Sequence, residues 1–400
     1  MSYEYLLDIA LILLSTKVFG LIVRRFQMPQ VVGALLSGLI LGPAVLNILE
    51  QTDFIVMLAE LGVIVIMFQA GMETNLKELK QVGKSGLMIA LIGVFVPILM
   101  GAGLLYFFND SDLLLDGTNK LLQNFFLGVV LTATSVSITV ETLKELGKLN
   151  GRVGNAILAA ALIDDILGLV ALTIMTSFVG SNVSVTMVLI KIVLFFVFAF
   201  GFSYLVYLGF NWYTKQVQHK NLRRFPVAAF VLCLIMAFVA EHFFGVADII
   251  GAFAAGLVIA NTPKAEYISM KFTPLSYLLL TPVFFASIGI KVVLPEITWL
   301  ILGFTILLIL VAVISKLIGC GLGAKLCGFN RKESEQIGYG MACRGEVTLI
   351  VANKGVALGL MSTTLFGSVI IMVVVLSIVT PILLKVAFNV KKPKLETTSL

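Results

Sequence analysis

The chain has 400 residues, of which 59% are hydrophobic and 12% are charged, and its mean hydropathy is +1.07. Soluble domains carry about 25% charged residues, so this composition excludes an ordinary soluble protein and predicts an all-α polytopic membrane protein. The net charge of +6 would suit a nucleic-acid-binding protein, but the distribution of the basic residues argues against that interpretation.

Thirteen apolar segments follow one another along the chain, and each is predicted to be a transmembrane helix. They are 4–23, 30–49, 54–72, 85–108, 123–146, 153–179, 183–210, 225–244, 246–262, 273–290, 298–327, 335–353 and 363–389. The first lacks the basic start and the cleavage site of a signal peptide, so we expect it to remain as a span.

The basic residues are concentrated in alternate connections between these segments. One set contains Arg24, Arg25, Lys77, Lys80, Lys84, Lys144, Lys148, Arg152, Lys215, Lys220, Arg223, Arg224, Lys264, Lys271, Lys325, Arg331 and Lys332. The other contains only Lys120, Lys291 and Lys354, with the acidic stretch 110–116. The positive-inside rule therefore predicts an outside N-terminus and a cytoplasmic C-terminus, and it explains the net charge without a nucleic acid.

Two parts of the chain resemble each other at an offset of 218 residues. The glycine-rich sequence that begins at Gly33 matches the one that begins at Gly251, and the same offset carries Gly71 onto Gly289. Because the charge rule gives these segments opposite directions, segments 2–6 and 9–13 are predicted to be two inverted five-helix repeats, which are typical of secondary transporters. The alternative is chance similarity between helices rich in small residues.

The sixth segment carries two adjacent acids, Asp164 and Asp165, about halfway along its length. Asp164 lies 12 residues beyond Arg152, or roughly 18 Å into the membrane. Ionisable residues at this depth cost about 2.5–3.5 kcal/mol each and usually mark a transport pathway, so the acids predict a cation or proton site. The alternative is a structural ion pair. Lys316 lies equally deep in segment 11 and is expected to pair with a carboxylate.

The fifth and twelfth segments contain polar residues at mid-depth and are predicted to be broken helices that face a polar cavity. The fifth has five hydroxyl residues: Thr132, Thr134, Ser135, Ser137 and Thr139. The twelfth has Arg344, Gly345 and Glu346 in succession. The alternatives are hydroxyls bonded to their own helix turn and a stabilising pair between Arg344 and Glu346.

The five deep charges define the expected ligand. Asp164, Asp165 and Glu346 against Lys316 and Arg344 leave a formal charge of −1, which one monovalent cation or one proton would neutralise. The four cysteines (Cys233, Cys320, Cys327 and Cys343) have no metal-ligand spacing, and His219 and His242 are assigned to separate loops. We therefore expect no cofactor, and no catalytic constellation indicates an enzyme.

Four stretches carry a resemblance over essentially the whole chain: Asp164-Asp165 after Thr132–Ser135, the sequence Pro282–Gly289, Lys316, and Arg344-Gly345-Glu346. With these, the chain resembles the bacterial monovalent cation:proton antiporters of the cation:proton antiporter-2 family, which includes NapA-type sodium/proton antiporters and the Kef potassium efflux systems. The resemblance implies an NhaA-like fold with two crossed broken helices, a homodimer in the bacterial plasma membrane, and elevator-type movement.

The resemblance also implies a domain organisation. It consists of dimerisation panel helices in 1–72 and 225–290, core helices in 84–179 and 298–389, a connecting helix in 183–215 and a short cytoplasmic tail, 390–400, without a nucleotide-binding domain.

The resemblance assigns roles to the site residues. Asp165 would carry the sodium ion and the proton, Asp164 would pair with Lys316 when no sodium is bound, and Thr132, Thr134 and Ser135 would line the crossing. In this family, members with an Asp-Asp pair exchange sodium electrogenically. The resemblance therefore implies Na⁺, Li⁺ and H⁺ as the transported ions. A potassium/proton antiporter of the same fold and a cation channel are the alternatives.

Overall fold

The computed structural model describes residues 3–26, 28–74, 76–108, 113–115, 119–178, 185–216, 224–292 and 298–388. In these ranges the regular secondary structure is helical. The helices are α1 Glu4–Arg25, α2 Gln30–Leu41, α3 Asp53–Glu73, α4 Leu76–Tyr106, α5 Lys120–Val130, α6 Val136–Glu145, α7 Arg152–Ser177, α8 Val185–Gln216, α9 Arg224–Phe244, α10 Asp248–Ala260, α11 Ala265–Leu275, α12 Thr281–Ile290, α13 Trp299–Leu326, α14 Arg331–Gly340, α15 Glu346–Ala357 and α16 Thr363–Ala387. A π-helical segment, Ser276–Leu280, joins α11 to α12.

Within the described residues, nine continuous helices are long and apolar enough to cross a membrane. They are α1, α3, α4, α7, α8, α9, the combined α11–α12, α13 and α16. Large apolar side chains such as Leu14, Phe95 and Leu310 are exposed along them, which suits contact with lipid rather than water. The predicted class of multi-pass helical membrane protein is therefore confirmed.

Several predicted boundaries and one assignment are wrong. The segment predicted over 30–49 is helical only over Gln30–Leu41, because Gly42 and Pro43 end it. The segment predicted from 273 begins at Ala265, and the one predicted from 85 begins at Leu76. His242 lies in α9 rather than in a loop. The side chains of Lys80, Lys215 and Glu346 lie outside the described part, and so do His219, Lys220, Arg223, most of 110–116 and the tail 390–400.

The helices pack in two groups. The panel consists of α1–α3 and α9–α12, in which α2 packs on α1 and α12, and α10 packs on α3 and α9. The core bundle consists of α4–α7 and α13–α16, in which α4 packs on α5, α7 and α13, and α16 packs on α13, α14 and α15. Helix α8 touches α7 on one side and α9 and α10 on the other. The groups also meet where α6 contacts α2 and α3 and where α16 contacts α2.

Two close contacts inside the panel use glycines at equivalent positions. A Cβ added to Gly38 of α2 would overlap the α12 backbone, and one added to Gly289 would overlap Gly38. A Cβ added to Gly256 of α10 would overlap the α3 backbone beside Gly71. The offset of 218 carries Gly38 onto Gly256 and Gly71 onto Gly289, so the two contacts correspond residue by residue. This correspondence supports the predicted internal repeat.

Candidate functional site

Two interrupted helices meet in the middle of the core bundle. Helix α5 ends at Val130 and α6 begins at Val136, while α14 ends at Gly340 and α15 begins at Glu346. We call the non-helical residues 131–135 the first break, residues 341–345 the second break, and the place where they meet the crossing. The two breaks are hydrogen-bonded to each other, since Ser135 N donates to Cys343 O at 3.0 Å. Helix ends leave backbone N–H and C=O groups without helical partners, and this hydrogen bond pairs one such group from each break.

Arg344 joins the two breaks. Its side chain is fully buried, and its Nη1 donates to Ala133 O at 2.6 Å while Nη2 donates to Leu131 O at 2.5 Å. Leu131 is the C-cap of α5, where the helix dipole places partial negative charge, and Ala133 lies in the non-helical backbone that follows. Thr348 Oγ1 adds a donor to Ala133 O at 3.3 Å. The guanidinium of Arg344 therefore fixes the backbone of the first break, and its positive charge offsets the partial negative charge at the carboxyl end of α5.

Asp164 lies beside this crossing and is held by a lysine and a threonine. Lys316 Nζ of α13 donates to Asp164 Oδ1 at 2.8 Å and to Oδ2 at 2.9 Å, and both side chains are fully shielded from solvent. Thr134 Oγ1 donates to Asp164 Oδ2 at 2.7 Å. The carboxylate thus receives donors from both the first break and the neighbouring helix, so its position depends on the crossing.

A cavity of about 510 Å³ reaches the acids from one end of the protein. Asp164, Asp165, Thr132 and Ala133 line its inner part, and Asp165 is half-buried there. Panel residues, including Ser287, line the opposite wall. The cavity therefore lies between the panel and the core bundle, with the two acids on the core side.

The mouth of the cavity is at the end where α3 and α10 begin. Glu60, Glu241, Asp248 and Lys291 line it. Three acids against one lysine give this entrance an excess of negative charge, which favours the approach of cations.

Contacts between the panel and the core bundle close the opposite end. Lys144 Nζ of α6 forms an ion pair with Glu73 Oε1 of α3 at 2.8 Å. The carboxylate of Glu145 accepts from Gln30 N, at the start of α2, at 2.6 and 2.7 Å. The ion pair and this carboxylate at a helix N-terminus therefore join the two groups of helices at the end opposite the cavity mouth.

The predicted site residues separate into three positions. Asp164, Asp165 and Thr132 line the cavity, and Thr134 reaches Asp164 from behind it. Ser135 lies deeper in the crossing, where its Oγ is 3.3 Å from Ser137 Oγ. Within the described residues, no group of three or more His, Cys, Asp and Glu side chains could hold a metal ion.

Three hydroxyl residues of the crossing were not singled out as site residues by the sequence. Thr139 donates to Gly340 O at 2.9 Å, Thr348 donates to Ala133 O, and Ser377 of α16 donates to Arg344 O at 2.7 Å. Thr139 belongs to the hydroxyl-rich stretch of the fifth segment, although it was not assigned to the site. Thr348 and Ser377 are single hydroxyls in apolar helices, which usually bond to their own helix turn, so nothing in the sequence distinguishes those two.

Helices that break and cross beside buried acids are typical of secondary transporters, and this is the class that the fold and the site define. Residues 10–390 match the family described as "Sodium/hydrogen exchanger, transmembrane", and the chain belongs to this family. It is a cation/proton antiporter, since its relatives are transporters and not enzymes.

Relatives match the chain over nearly its full length. The Na(+)/H(+)-K(+) antiporter GerN of Bacillus cereus is 38% identical over 401 residues, which cover 98% of each chain. The Na(+)/H(+) antiporter of Enterococcus hirae is 32% identical and covers 96% of this chain and 97% of its own. The solved structure of the sodium proton antiporter MjNhaP1 from Methanocaldococcus jannaschii has a TM-score of 0.70 at 17% identity, with 98% of this chain and 100% of that chain covered, so it has the same fold.

Proposed function

We propose that the protein exchanges sodium or lithium ions for protons, and that the two kinds of ion compete for the Asp164–Asp165 pair. The observation that carries this proposal is the position of the pair at the inner end of the cavity. Lys316 balances the charge of Asp164, and the guanidinium of Arg344 is bonded to backbone carbonyls. Asp165 lines the cavity together with Thr132, so we assign Asp165 as the carboxylate that a sodium ion or a proton neutralises in turn.

The transport cycle we propose is an elevator. The core bundle carries the acids past the panel, so that the cavity closes at one end and opens at the other. The one-sided cavity and the contacts of α6 with α2 and α3 support this movement, because those contacts join the two groups at the closed end. In this proposal the thirteen segments all cross the membrane in an NhaA-like fold with inverted repeats, and the Asp-Asp pair makes exchange electrogenic.

The orientation follows from the positive-inside rule. The closed end carries Lys144 and Arg152, so we assign it to the cytoplasm of a bacterial plasma membrane and assign the open mouth to the outside. The N-terminus is then outside and the C-terminus is cytoplasmic. A homodimer formed through the panel completes the proposed assembly.

Potassium is the second candidate substrate. The relative GerN is named a Na(+)/H(+)-K(+) antiporter, and it is 38% identical to the chain. The acids and the lysine would serve either cation, because the size of the ion is decided by the spacing of oxygens in the cavity rather than by charge.

The test is exchange by the purified protein in liposomes that contain a pH-sensitive dye. Sodium, lithium or potassium is added with the membrane potential either clamped or free. We expect sodium and lithium to move protons, a dependence on potential, and loss of exchange in Asp165→Asn.

Asp53→Asn is the matched control, because this exposed acid starts α3 outside the cavity lining, and it should exchange normally. A response to potassium alone would change the substrate, and normal exchange by Asp165→Asn would refute the acid pair as the site.

A further inference from the structure

We propose that Ser377 is a positioning residue that sets the affinity of the site for its cation, although it does not touch the cavity acids. This inference rests on the proposed function, since it concerns the same Asp164–Asp165 pair. Ser377 lies in the middle of α16 and is 1% exposed. Its Oγ donates to Arg344 O of the second break at 2.7 Å and lies 2.8 Å from Val373 O of its own helix.

The contact with Arg344 is the informative one. A serine hydroxyl in a helix commonly bonds to the carbonyl four residues earlier, so the contact with Val373 is ordinary. The contact with Arg344 instead joins residues 33 positions apart and supplies a donor to a fully buried carbonyl. Among the described side chains, the donor that remains at this carbonyl without the hydroxyl is the weak Cys343 thiol, whose Sγ lies 3.9 Å from Arg344 O, so the backbone of Arg344 depends on Ser377.

A continuous series of contacts runs from Ser377 to the acids. Ser377 fixes the carbonyl of Arg344, and the guanidinium of Arg344 fixes Ala133 O and Leu131 O on either side of Thr132. The adjacent residue Thr134 donates to Asp164. The orientation of the hydroxyl and carbonyl groups at the inner end of the cavity therefore depends on α16, which contributes no residue to the cavity lining.

Ser377 also lies at the boundary between the core bundle and the panel. It lines a small gap of about 10 Å³ together with Leu35 and Leu39 of α2 and Ile288 and Gly289 of α12. This boundary slides in the proposed elevator cycle. The hydroxyl is thus placed where packing of the core bundle against the panel can be transmitted to the geometry of the crossing.

Helix α16 also provides a matched control. Ser368 is fully buried in the same helix, and its Oγ has no hydrogen-bond partner among the residues that the structure describes. Ser377→Ala and Ser368→Ala remove the same atom from the same helix, and alanine is the best helix former, so both variants should fold. Only the first removes a donor from the crossing.

The experiment measures KM and maximal rate for sodium in liposomes, per amount of folded protein. In Ser377→Ala we expect KM to rise about fivefold, the factor that corresponds to one hydrogen bond of typical net strength, while the maximal rate changes less than about twofold. Ser368→Ala should match the unmodified protein.

Two results would overturn the inference: a KM for Ser377→Ala within about twofold of that for Ser368→Ala, or a fall in maximal rate with unchanged KM, which indicates a structural role alone. Asp165→Asn, measured in parallel, separates the two proposals. If that variant exchanges normally, the proposed function fails. If it is inactive and the two serine variants agree, only the role of Ser377 fails.

Discussion

Removal of the Lys316 charge should destabilise the fold strongly. The pair with Asp164 has N–O distances of 2.8 and 2.9 Å, and neither side chain is exposed. At 2.8 Å and an effective dielectric constant of about 20, the attraction between unit charges is about 6 kcal/mol before desolvation is subtracted. Truncating one partner of a buried pair typically costs about 3–5 kcal/mol, because it leaves an uncompensated charge, so Lys316→Met should lose that much stability.

The double variant Lys316→Met/Asp164→Asn should recover most of that loss. It leaves no charge at the pair, and the side-chain amide oxygen introduced by Asp164→Asn can still accept the Thr134 hydroxyl. Denaturant unfolding of the purified variants gives the free energies, with Lys354→Met at an exposed position of α15 as the control. If Lys316→Met unfolds at the same denaturant concentration as Lys354→Met, or if the double variant is no more stable than the single one, the buried pair does not stabilise the fold as expected.

Two further predictions concern the crossing and the closed end. Gly345→Ala should abolish exchange, because its Cβ would overlap Ser135 in the first break, whereas Gly303→Ala has open space and should retain activity in the same liposome assay. Equal activity of the two variants would show that the breaks are not closely packed. Lys144→Met removes the ion pair with Glu73, which is partly exposed and contributes about 0.5–1 kcal/mol. Hydrogen exchange along α6 and at the end of α3 should therefore accelerate about two- to fivefold. Unchanged hydrogen exchange would mean that the Lys144–Glu73 pair does not hold the panel and the core bundle together at the closed end.

The features that could be predicted from the sequence are those with a large energetic signal. Charges inside an apolar segment are costly, so Asp164, Asp165 and Lys316 stand out from their neighbours, and the structure places two of them in direct contact. The glycine offset likewise identified positions where a Cβ would collide. Apolar periodicity and alternating basic connections were sufficient for the helical membrane class.

The remaining features leave weaker traces in the sequence. The early end of α2 depends on Gly42-Pro43 inside a still apolar stretch, so hydropathy alone extended that segment too far. The position of Ser135, which bonds within the crossing rather than at the cavity, is decided by a backbone contact with Cys343 more than 200 residues away. The contact of Ser377 with Arg344 is tertiary in the same way, and a lone hydroxyl in an apolar helix gives no sign of it.

Sodium and protons are proposed to compete for the acids at the inner end of the cavity. The most direct test is calorimetric titration of the purified protein with sodium, in buffers of different ionisation enthalpy and at several pH values. We expect sodium binding to release protons and its affinity to weaken as the pH falls, and we expect Asp165→Asn to lose both effects. Sodium binding with an affinity independent of pH and without proton release would contradict it.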